Sequence, residues 1–170
     1  MRLRDVEDVS KLTPAMQQYA NLKKNNESSL LFFRMGDFYE LFFDDAIITA
    51  KELNITLTKR GKVLNESIPM CGIPFHAANN YVPKLVKKGF EIAICEQTSS
   101  PEEMSLKGIK GPLTREVTRI ITPGTLIEEN HLESEQYNFL GCIFIDKLNF
   151  SLSWLDVSTG SFISNNFKYK

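Results

Sequence analysis

The sequence predicts an α/β (α+β) protein in which short strands alternate with amphipathic helices, followed by the first strands of a second domain. Aromatic-rich apolar runs of strand length alternate with segments whose apolar residues recur at helical spacing. The 170 residues are 42% hydrophobic and 24% charged, as in ordinary globular proteins. Residues 1–124 carry 17 basic and 15 acidic side chains, whereas residues 125–170 carry 3 and 6. This change from net positive to net negative charge predicts a domain boundary near residue 124.

The first elements are a helix and two strands. Thr13-Pro14 is a helix-start signal, because proline is tolerated at the first helical position, and the helix is predicted to end near Lys24. The apolar run over residues 30–33 predicts a buried strand. Gly36-Asp37 interrupts it, and residues 38–43 resume an extended aromatic pattern.

The next segment is predicted to be a helix, a strand and a basic loop. Asp44-Asp45 are of the residue type that caps helices, and apolar side chains then follow at helical spacing up to Leu53. Residues 55–58 alternate between apolar side chains and threonine, which is typical of a strand. Residues 59–67 are basic and contain a glycine, so we expect a loop there.

The remainder of the first domain is predicted to be one more helix and two strands. Apolar residues at helical spacing predict a helix over residues 77–88, with Gly89 just past its end. Pro83 removes a hydrogen bond inside that helix, so we expect either a later start or a kink. Strands are predicted over residues 90–95 and 117–121, with a mobile loop over residues 99–112 between them.

The last part of the chain has a different pattern. The acidic residues 128–135 predict a linker, and three strands of a meander follow over 139–145, 150–157 and 161–167. Both faces of the first of these strands are apolar, as in the centre of a larger sheet. We therefore expect residues from about 125 onward to be the beginning of a domain.

The composition excludes several classes of protein. No apolar run approaches the ~20 residues of a membrane-spanning helix, and the charged start lacks the apolar stretch of a signal peptide, so we expect a cytoplasmic protein with no membrane partner. Three cysteines without a C-x-x-C pair indicate reduced thiols rather than a zinc site. The sequence has no phosphate-binding loop and no G-x-S-x-G elbow, and its cysteines and histidines lack a familiar metal-ligand spacing, so we expect no catalytic residues, no cofactor and no metal in this chain.

The segment 34–43 is the least ordinary stretch of the sequence. In an extended conformation Phe38 and Glu40 project to one side, while Tyr39 and Leu41 project to the other. One side of the strand can then be core, while the other presents a ring beside a carboxylate. The competing interpretation is that all of these aromatic residues are core, which spacing by itself favours.

Two other groups of side chains are of types that can carry chemistry. Asp37, Glu40, Asp44 and Asp45 are hard oxygen ligands that could hold magnesium in a metal-dependent nuclease, although helix capping explains the aspartates more simply. His76 and His131 have no nucleophile at a familiar spacing, and we expect loop or helix-end roles for both.

Five sequence blocks resemble one known family. The blocks F-F-R-M-G-D-F-Y-E-L-F-F-D-D-A, L-T-K-R-G, I-P-M-C-G-I-P-F-H-A, A-I-C-E-Q and R-I-I-T-P-G-T closely resemble the N-terminal region of the bacterial MutS family, which detects mispaired and looped-out bases in DNA mismatch repair. The resemblance runs from about Thr13 to the end of the chain. It implies a mismatch-recognition domain of mixed sheet and helices over residues 1–124, and a linker with the start of a ribonuclease-H-like connector domain over residues 125–170.

The resemblance also implies roles for individual residues. Phe38 matches the aromatic residue that the family wedges into the duplex from the minor groove, and Glu40 matches the acid that hydrogen-bonds the mispaired base. Lys59 and Arg60 resemble nearby cations that face the DNA backbone. Three further residues resemble groove-lining neighbours: Met35, Asp37 and Met70.

The resemblance implies partners that lie outside this chain. These are mismatched double-stranded DNA, a second copy of the protein in a homodimer, and downstream mismatch-repair proteins. ATP and magnesium are expected for the full-length parent, a DNA-dependent ATPase, while no enzyme activity is expected for this chain. The alternative is a structural or protein-interaction fragment whose aromatic segment is buried as core.

Overall fold

A computed structural model describes residues 3–6, 8–63, 66–99, 104, 106, 108, 111–125, 137, 139–147 and 149–168. Within these residues the helices are α1 (Pro14–Lys24), α2 (Phe43–Leu53) and α3 (Ala78–Lys87). The strands are β1 (Leu30–Met35), β2 (Phe38–Phe42), β3 (Thr58–Val63), β4 (Glu66–Pro74), β5 (Ile92–Gln97), β6 (Arg115–Ile121), β7 (Phe139–Ile145), β8 (Asn149–Asp156) and β9 (Phe162–Lys168). None of the helices in this part of the chain has the length and apolar character needed to cross a bilayer. The predicted acidic linker with His131, and most of the predicted loop over residues 99–112, fall outside the described residues.

The chain forms two compact units, Met1–Ile121 and Thr122–Lys170. The first contains a six-stranded sheet in the order β3-β4-β2-β1-β5-β6. Strands β1 and β5 pair in parallel and the other neighbours pair antiparallel, so the sheet is mixed. The α/β fold with a mixed sheet and flanking helices is therefore confirmed.

The core of the first unit lies where α1 covers one face of this sheet. Tyr19 of α1 is 1% exposed, and its ring meets those of Phe33 and Phe42 edge-on at centroid distances of 5.5 and 5.1 Å. Alternate residues of the same strands, such as Phe32 and Leu41, are equally buried and project from the opposite face, the one toward α2 and α3. Because both faces are covered, the central strands are apolar on both sides.

The junction between β2 and α2 differs from the predicted one. The extended run ends at Phe42, which occupies the N-cap position of α2 without a side-chain hydrogen bond, and Phe43 begins the helix with φ of +55°. This left-handed conformation lets the chain turn directly from strand to helix while Phe42 and Phe43 both remain buried. The prediction that Asp44-Asp45 cap the helix was wrong, because both lie inside its first turn.

The predicted strand over residues 55–58 and the predicted loop over residues 59–67 were also wrong. The strand starts only at Thr58, and the basic segment is the β3–β4 hairpin at the edge of the sheet. Basic, exposed side chains are a common feature of edge strands, where charge prevents pairing with another chain. The basic composition of residues 59–67 therefore predicted a loop, whereas pairing of β3 with β4 gives the described residues of this segment a strand conformation.

Helix α3 lies close to its predicted position and includes Pro83 in its interior. The helix therefore does not start late. Pro83 is buried together with Val82, Leu85 and Val86, so packing of this apolar face offsets the missing backbone hydrogen bond.

The second unit contains an antiparallel sheet in the order β7-β8-β9, the meander that the sequence predicted. All residues of β7 and β9 are exposed within the described chain, including Ile143 and Phe144 on alternate faces. The assignment of residues 125–170 to a ribonuclease-H-like connector domain stays a prediction.

Candidate nucleic-acid interface

Strand β2 presents different side chains on its two faces. Phe38 is 46% exposed, whereas Tyr39 and Leu41 are 6% and 0% exposed. Glu40 is half-buried and shares the face of Phe38, because side chains alternate along a strand. The interpretation that the whole aromatic segment is core fails at Phe38, although it holds for most of its neighbours. We refer to the sheet face that carries Phe38, Glu40, Met35 and Met70 as the Phe38 face.

The position of Phe38 is set by a tight turn between paired strands. Phe38 faces Met35 across the β1–β2 hairpin and Pro74 on the other side in β4. Gly36 in the turn has φ of +60°, which glycine adopts without steric cost. The Phe75 N–H donates to the Asp37 carbonyl at 2.9 Å and ties the turn to the end of β4. The exposed ring therefore stands on a rigid base.

An arginine-centred group supports this turn from the opposite face. The Arg34 guanidinium lies 3.5 Å from the centroid of the Phe75 ring and 5.6 Å from that of Tyr39. Its Nη1 is 3.6 Å from Glu96 Oε2, and the Tyr39 hydroxyl donates to the other oxygen of Glu96. Burial, followed by this hydrogen bond to a carboxylate, raises the pKa of Tyr39 to about 12. The neutral phenol therefore donates to Glu96 and holds in place the face of β2 that lies opposite Phe38.

Glu40 is held by a cation from the edge strand. Arg60 Nη1 donates to Glu40 Oε2 in an ion pair, with side-chain exposures of 48% for Arg60 and 13% for Glu40. Gly72 faces Glu40 across the β2–β4 ladder. A Cβ at Gly72 would lie 3.3 Å from the Tyr39 carbonyl oxygen and 3.6 Å from Glu40 Cγ, so the absent side chain leaves room for the glutamate.

A buried arginine contacts residues of the Phe38 face. Arg115 is 8% exposed, and its guanidinium lies 4.8 Å from the centroid of the Phe33 ring. It donates to the Arg34 carbonyl at 2.6 Å and to Met35 Sδ at 3.3 Å. Burial lowers the pKa of Arg115, and the negative charge of Glu40 acts against that shift. The sequence analysis did not identify Arg115. It lies 81 residues from Arg34 in the chain, and no motif around it predicts that its side chain is buried.

Of the other predicted site residues, two lie on the Phe38 face, one lies in the turn beside Phe38, and one lies on the other face of the sheet. Met35 and Met70 lie on the Phe38 face, because they are register partners of Phe38 and Phe42. Asp37 is exposed in the turn beside Phe38. Lys59 pairs with Pro69, which alternates with Met70, and it therefore lies on the other face of the sheet.

The four carboxylates considered for magnesium do not form one cluster. Among the residues that the structure describes, no group of three or more His, Cys, Asp or Glu side chains is placed to hold a metal ion. Asp45 is 3% exposed and pairs with Lys23 of α1, while Glu40 pairs with Arg60 of the edge strand β3. Asp45 and Glu40 are therefore each bound to a cationic side chain.

Comparison with known proteins identifies the family. The family described as "MutS domain I" matches residues 13–130, which is more than half of the chain. This chain belongs to the MutS family. The matched range includes Phe38, Glu40, Arg60 and the whole β3–β4 hairpin.

Curated relatives support the same assignment over most of the chain. The proteins named "DNA mismatch repair protein MutS" from Ehrlichia ruminantium (strain Welgevonden) and Ehrlichia chaffeensis are both 52% identical, over 89% and 90% of this chain. The protein of that name from Bartonella quintana is 51% identical over 89% of the chain. The aligned part covers 18%, 18% and 17% of these three relatives, so the chain spans less than a fifth of their length.

Proposed function

We propose that this chain is the part of a longer MutS protein that recognises mismatched DNA. The observation that carries the proposal is the exposed ring of Phe38, 46% accessible at the start of a strand whose other aromatic residues are buried. A large apolar side chain held in solvent on a rigid turn has a free energy cost, and insertion between bases removes it. The membership in the MutS family supports the same function.

The recognition step follows from the mechanics of the duplex. Inserting a ring between two base pairs costs a few kcal/mol of unstacking, and a mispaired or unpaired base needs less because its stacking is already weakened. Phe38 would stack on that base from the minor groove, and Glu40 would accept a hydrogen bond from its displaced edge. Met35, Asp37 and Met70 would line the groove around the ring. Lys59 lies on the other face of the sheet and would contact the DNA backbone from the edge strand β3. Detection by deformability requires no sequence code.

The first domain is not strongly basic, which bears on how it binds DNA. Residues 1–124 hold 17 basic and 15 acidic side chains, so few phosphate contacts are available in this chain. We propose that most backbone contacts, the ATP and magnesium site of a DNA-dependent ATPase, and a homodimer contact belong to the rest of the longer protein. In this proposal residues 1–124 form the recognition domain, residues 125–170 begin the connector domain, and the protein acts in the cytoplasm with downstream mismatch-repair proteins.

The experiment that tests the wedge is Phe38→Ala in the complete protein. We expect affinity for a duplex with one unpaired thymine to fall by roughly 1–3 kcal/mol, the usual contribution of an aromatic side chain stacked on a base, while affinity for the fully paired duplex changes little. The measurement is a pair of titrations at one salt concentration. Ile120→Ala is a matched control, because Ile120 is also 46% exposed but lies on β6, three strands away from β2.

The outcome separates a wedge from an ordinary surface residue. If Phe38→Ala leaves the ratio of the two affinities at the value measured for Ile120→Ala, Phe38 does not stack on a base and the proposed function is wrong for this site. Unfolding in urea should show similar stability for the two variants, since both side chains are equally exposed.

A further inference from the structure

The carboxylate of Glu40 already has a partner before any DNA is bound. From this contact we infer that Arg60 is a specificity-determining residue, which competes with the mispaired base for the Glu40 carboxylate. The inference rests on the proposed function, because it assumes that Glu40 recognises a base. It assigns Arg60 a role different from the phosphate contact that the sequence resemblance implies.

The geometry of the ion pair depends on three neighbouring strands. Glu40 lies on β2, the glycine that faces it is Gly72 of β4, and Arg60 comes from β3 on the far side of β4. The glutamate side chain extends across β4 at the position of Gly72, which has no side chain, and reaches the guanidinium. A side chain at position 72 would lie in van der Waals contact with Glu40 Cγ, at 3.6 Å.

The backbone of β3 gives Arg60 a position different from those of the neighbouring lysines. The β3–β4 register shifts between Lys59 and Lys62, and Gly61 within this irregularity has φ of +71°. Irregularities of this kind redirect a side chain relative to a regular strand. Lys59 and Lys62 have no carboxylate partner among the residues that the structure describes. The hairpin thus supplies one cation to Glu40 and leaves two exposed.

The exposure of the pair determines how it can act. Arg60 is 48% exposed and Glu40 13%, so water screens the pair and it can open more easily than a fully buried one. On a paired duplex no base edge is displaced toward Glu40, and the ion pair stays closed and neutral overall. On a mismatched duplex the displaced base edge hydrogen-bonds the Glu40 carboxylate, and the ion pair with Arg60 opens. The free energy of the Glu40–Arg60 ion pair is therefore lost only when a mismatched duplex binds, and it lowers the affinity for that duplex alone.

Removing the cation should consequently increase discrimination. Without Arg60 the free protein no longer loses an ion pair when Glu40 meets a mispaired base. On a paired duplex the uncompensated carboxylate faces phosphates and weakens binding. Both effects raise the ratio of mismatch affinity to paired-duplex affinity. A cation that only contacts phosphate would instead strengthen both complexes by the same factor.

The test uses Arg60→Gln, Arg60→Lys and Lys62→Gln in the complete protein, each with Glu40 intact and with Glu40→Gln. The probes are a duplex with one unpaired thymine and the same duplex fully paired, titrated at one salt concentration. We expect Arg60→Gln to raise the affinity ratio about two- to fivefold, the range of a partly exposed ion pair. Arg60→Lys should stay near the wild-type ratio because it retains the charge. Lys62→Gln should lower both affinities by one common factor.

The Glu40→Gln background decides whether the effect passes through the ion pair. There Arg60→Gln should behave as Lys62→Gln does, with no change in the ratio. An unchanged or lower ratio for Arg60→Gln with Glu40 intact overturns the inference, as does the same rise in both backgrounds. If Glu40→Gln lowers discrimination while Arg60→Gln only matches Lys62→Gln, Arg60 has no such role and the proposed function stands. If Glu40→Gln leaves discrimination unchanged, the role of Glu40 and the inference about Arg60 both fail.

Discussion

Two carboxylates of the first unit, Asp45 and Glu40, are each paired with a cation, but their surroundings differ. Asp45 Oδ1 lies 2.9 Å from Lys23 Nζ, and the two side chains are 4% and 17% exposed. Asp45 Oδ2 also accepts from the Tyr19 hydroxyl and the Leu31 N–H, both at 3.0 Å. Glu40 has a half-exposed cation, and its strand begins at the exposed Phe38.

The difference shows that hydrogen bonding and burial decide whether a carboxylate serves the fold or can bind a ligand. Asp45 joins α1, β1 and α2 through three donors, so its charge is committed to the fold. Lys23 is held further by donating to the Glu27 and Ser29 carbonyls at 3.1 and 2.6 Å. The Glu40–Arg60 pair joins β2 and β3, which the sheet already holds together through β4. Loss of Asp45 would therefore leave buried polar groups without a partner, whereas the Glu40–Arg60 pair can be exchanged for a ligand.

Asp45→Ala tests this contrast with the largest expected effect. The substitution leaves the Lys23 ammonium without its carboxylate and the buried Leu31 N–H without its acceptor. We expect the free energy of unfolding to fall by about 3 kcal/mol, typical of breaking a buried pair from one side. Urea denaturation with a common probe measures the change.

Glu40→Ala is the matched control for that measurement. Because its ion pair is half-exposed, we expect a loss of less than about 1 kcal/mol in the free energy of unfolding. Equal destabilisation by the two substitutions would show that both carboxylates are structural and would remove the contrast between them.

Glu40→Gln should have a smaller effect, and on discrimination rather than on stability. A carboxylate near DNA is repelled by phosphates, so it helps only where a displaced base edge bonds to it. The neutral isostere should bind a fully paired duplex equally or more tightly and a mismatched duplex less tightly, and the affinity ratio should fall by roughly threefold to tenfold. Equal weakening on both duplexes, seen in paired titrations at one salt concentration, would assign Glu40 to the fold instead.

The smallest effect concerns the pH dependence of stability at Asp45. Burial raises the pKa of Asp45 above its ordinary value of 3.8, and the nearby Lys23 charge and the hydrogen bonds only partly reverse this. A raised pKa in the folded state means that folding favours the protonated acid. The contribution of Asp45 is therefore fully present below the unfolded pKa and declines as pH rises through the folded pKa.

Comparison with Asp45→Asn isolates this decline, because asparagine does not titrate and can still accept from the Leu31 N–H. Relative to that variant, the wild-type protein should lose stability in urea denaturation as pH rises above 3.8 and through the raised pKa of the folded state. A wild-type protein that gains stability over the same interval would mean that the ion pair with Lys23 outweighs burial and that the pKa is lowered.

Local features of this protein follow from the order of its residues. Alternation along residues 38–41 placed Phe38 and Glu40 on one face and Tyr39 and Leu41 on the other, since successive side chains of a strand always point to opposite faces. Thr13-Pro14 likewise marked the start of α1, because proline fits the first turn of a helix whatever packs around it. These properties depend on neighbours in the chain.

Tertiary structure alone decided which charged groups meet. Arg60 and Glu40 are 20 residues apart, Leu31 and Asp45 are 14 apart, and Arg115 and Arg34 are 81 apart. A carboxylate in a first helical turn looks like a cap in the sequence, and a basic hairpin looks like a loop, because composition records neither burial nor strand pairing. The sheet order places β4 between β2 and β3, and this order gives Glu40 its cation.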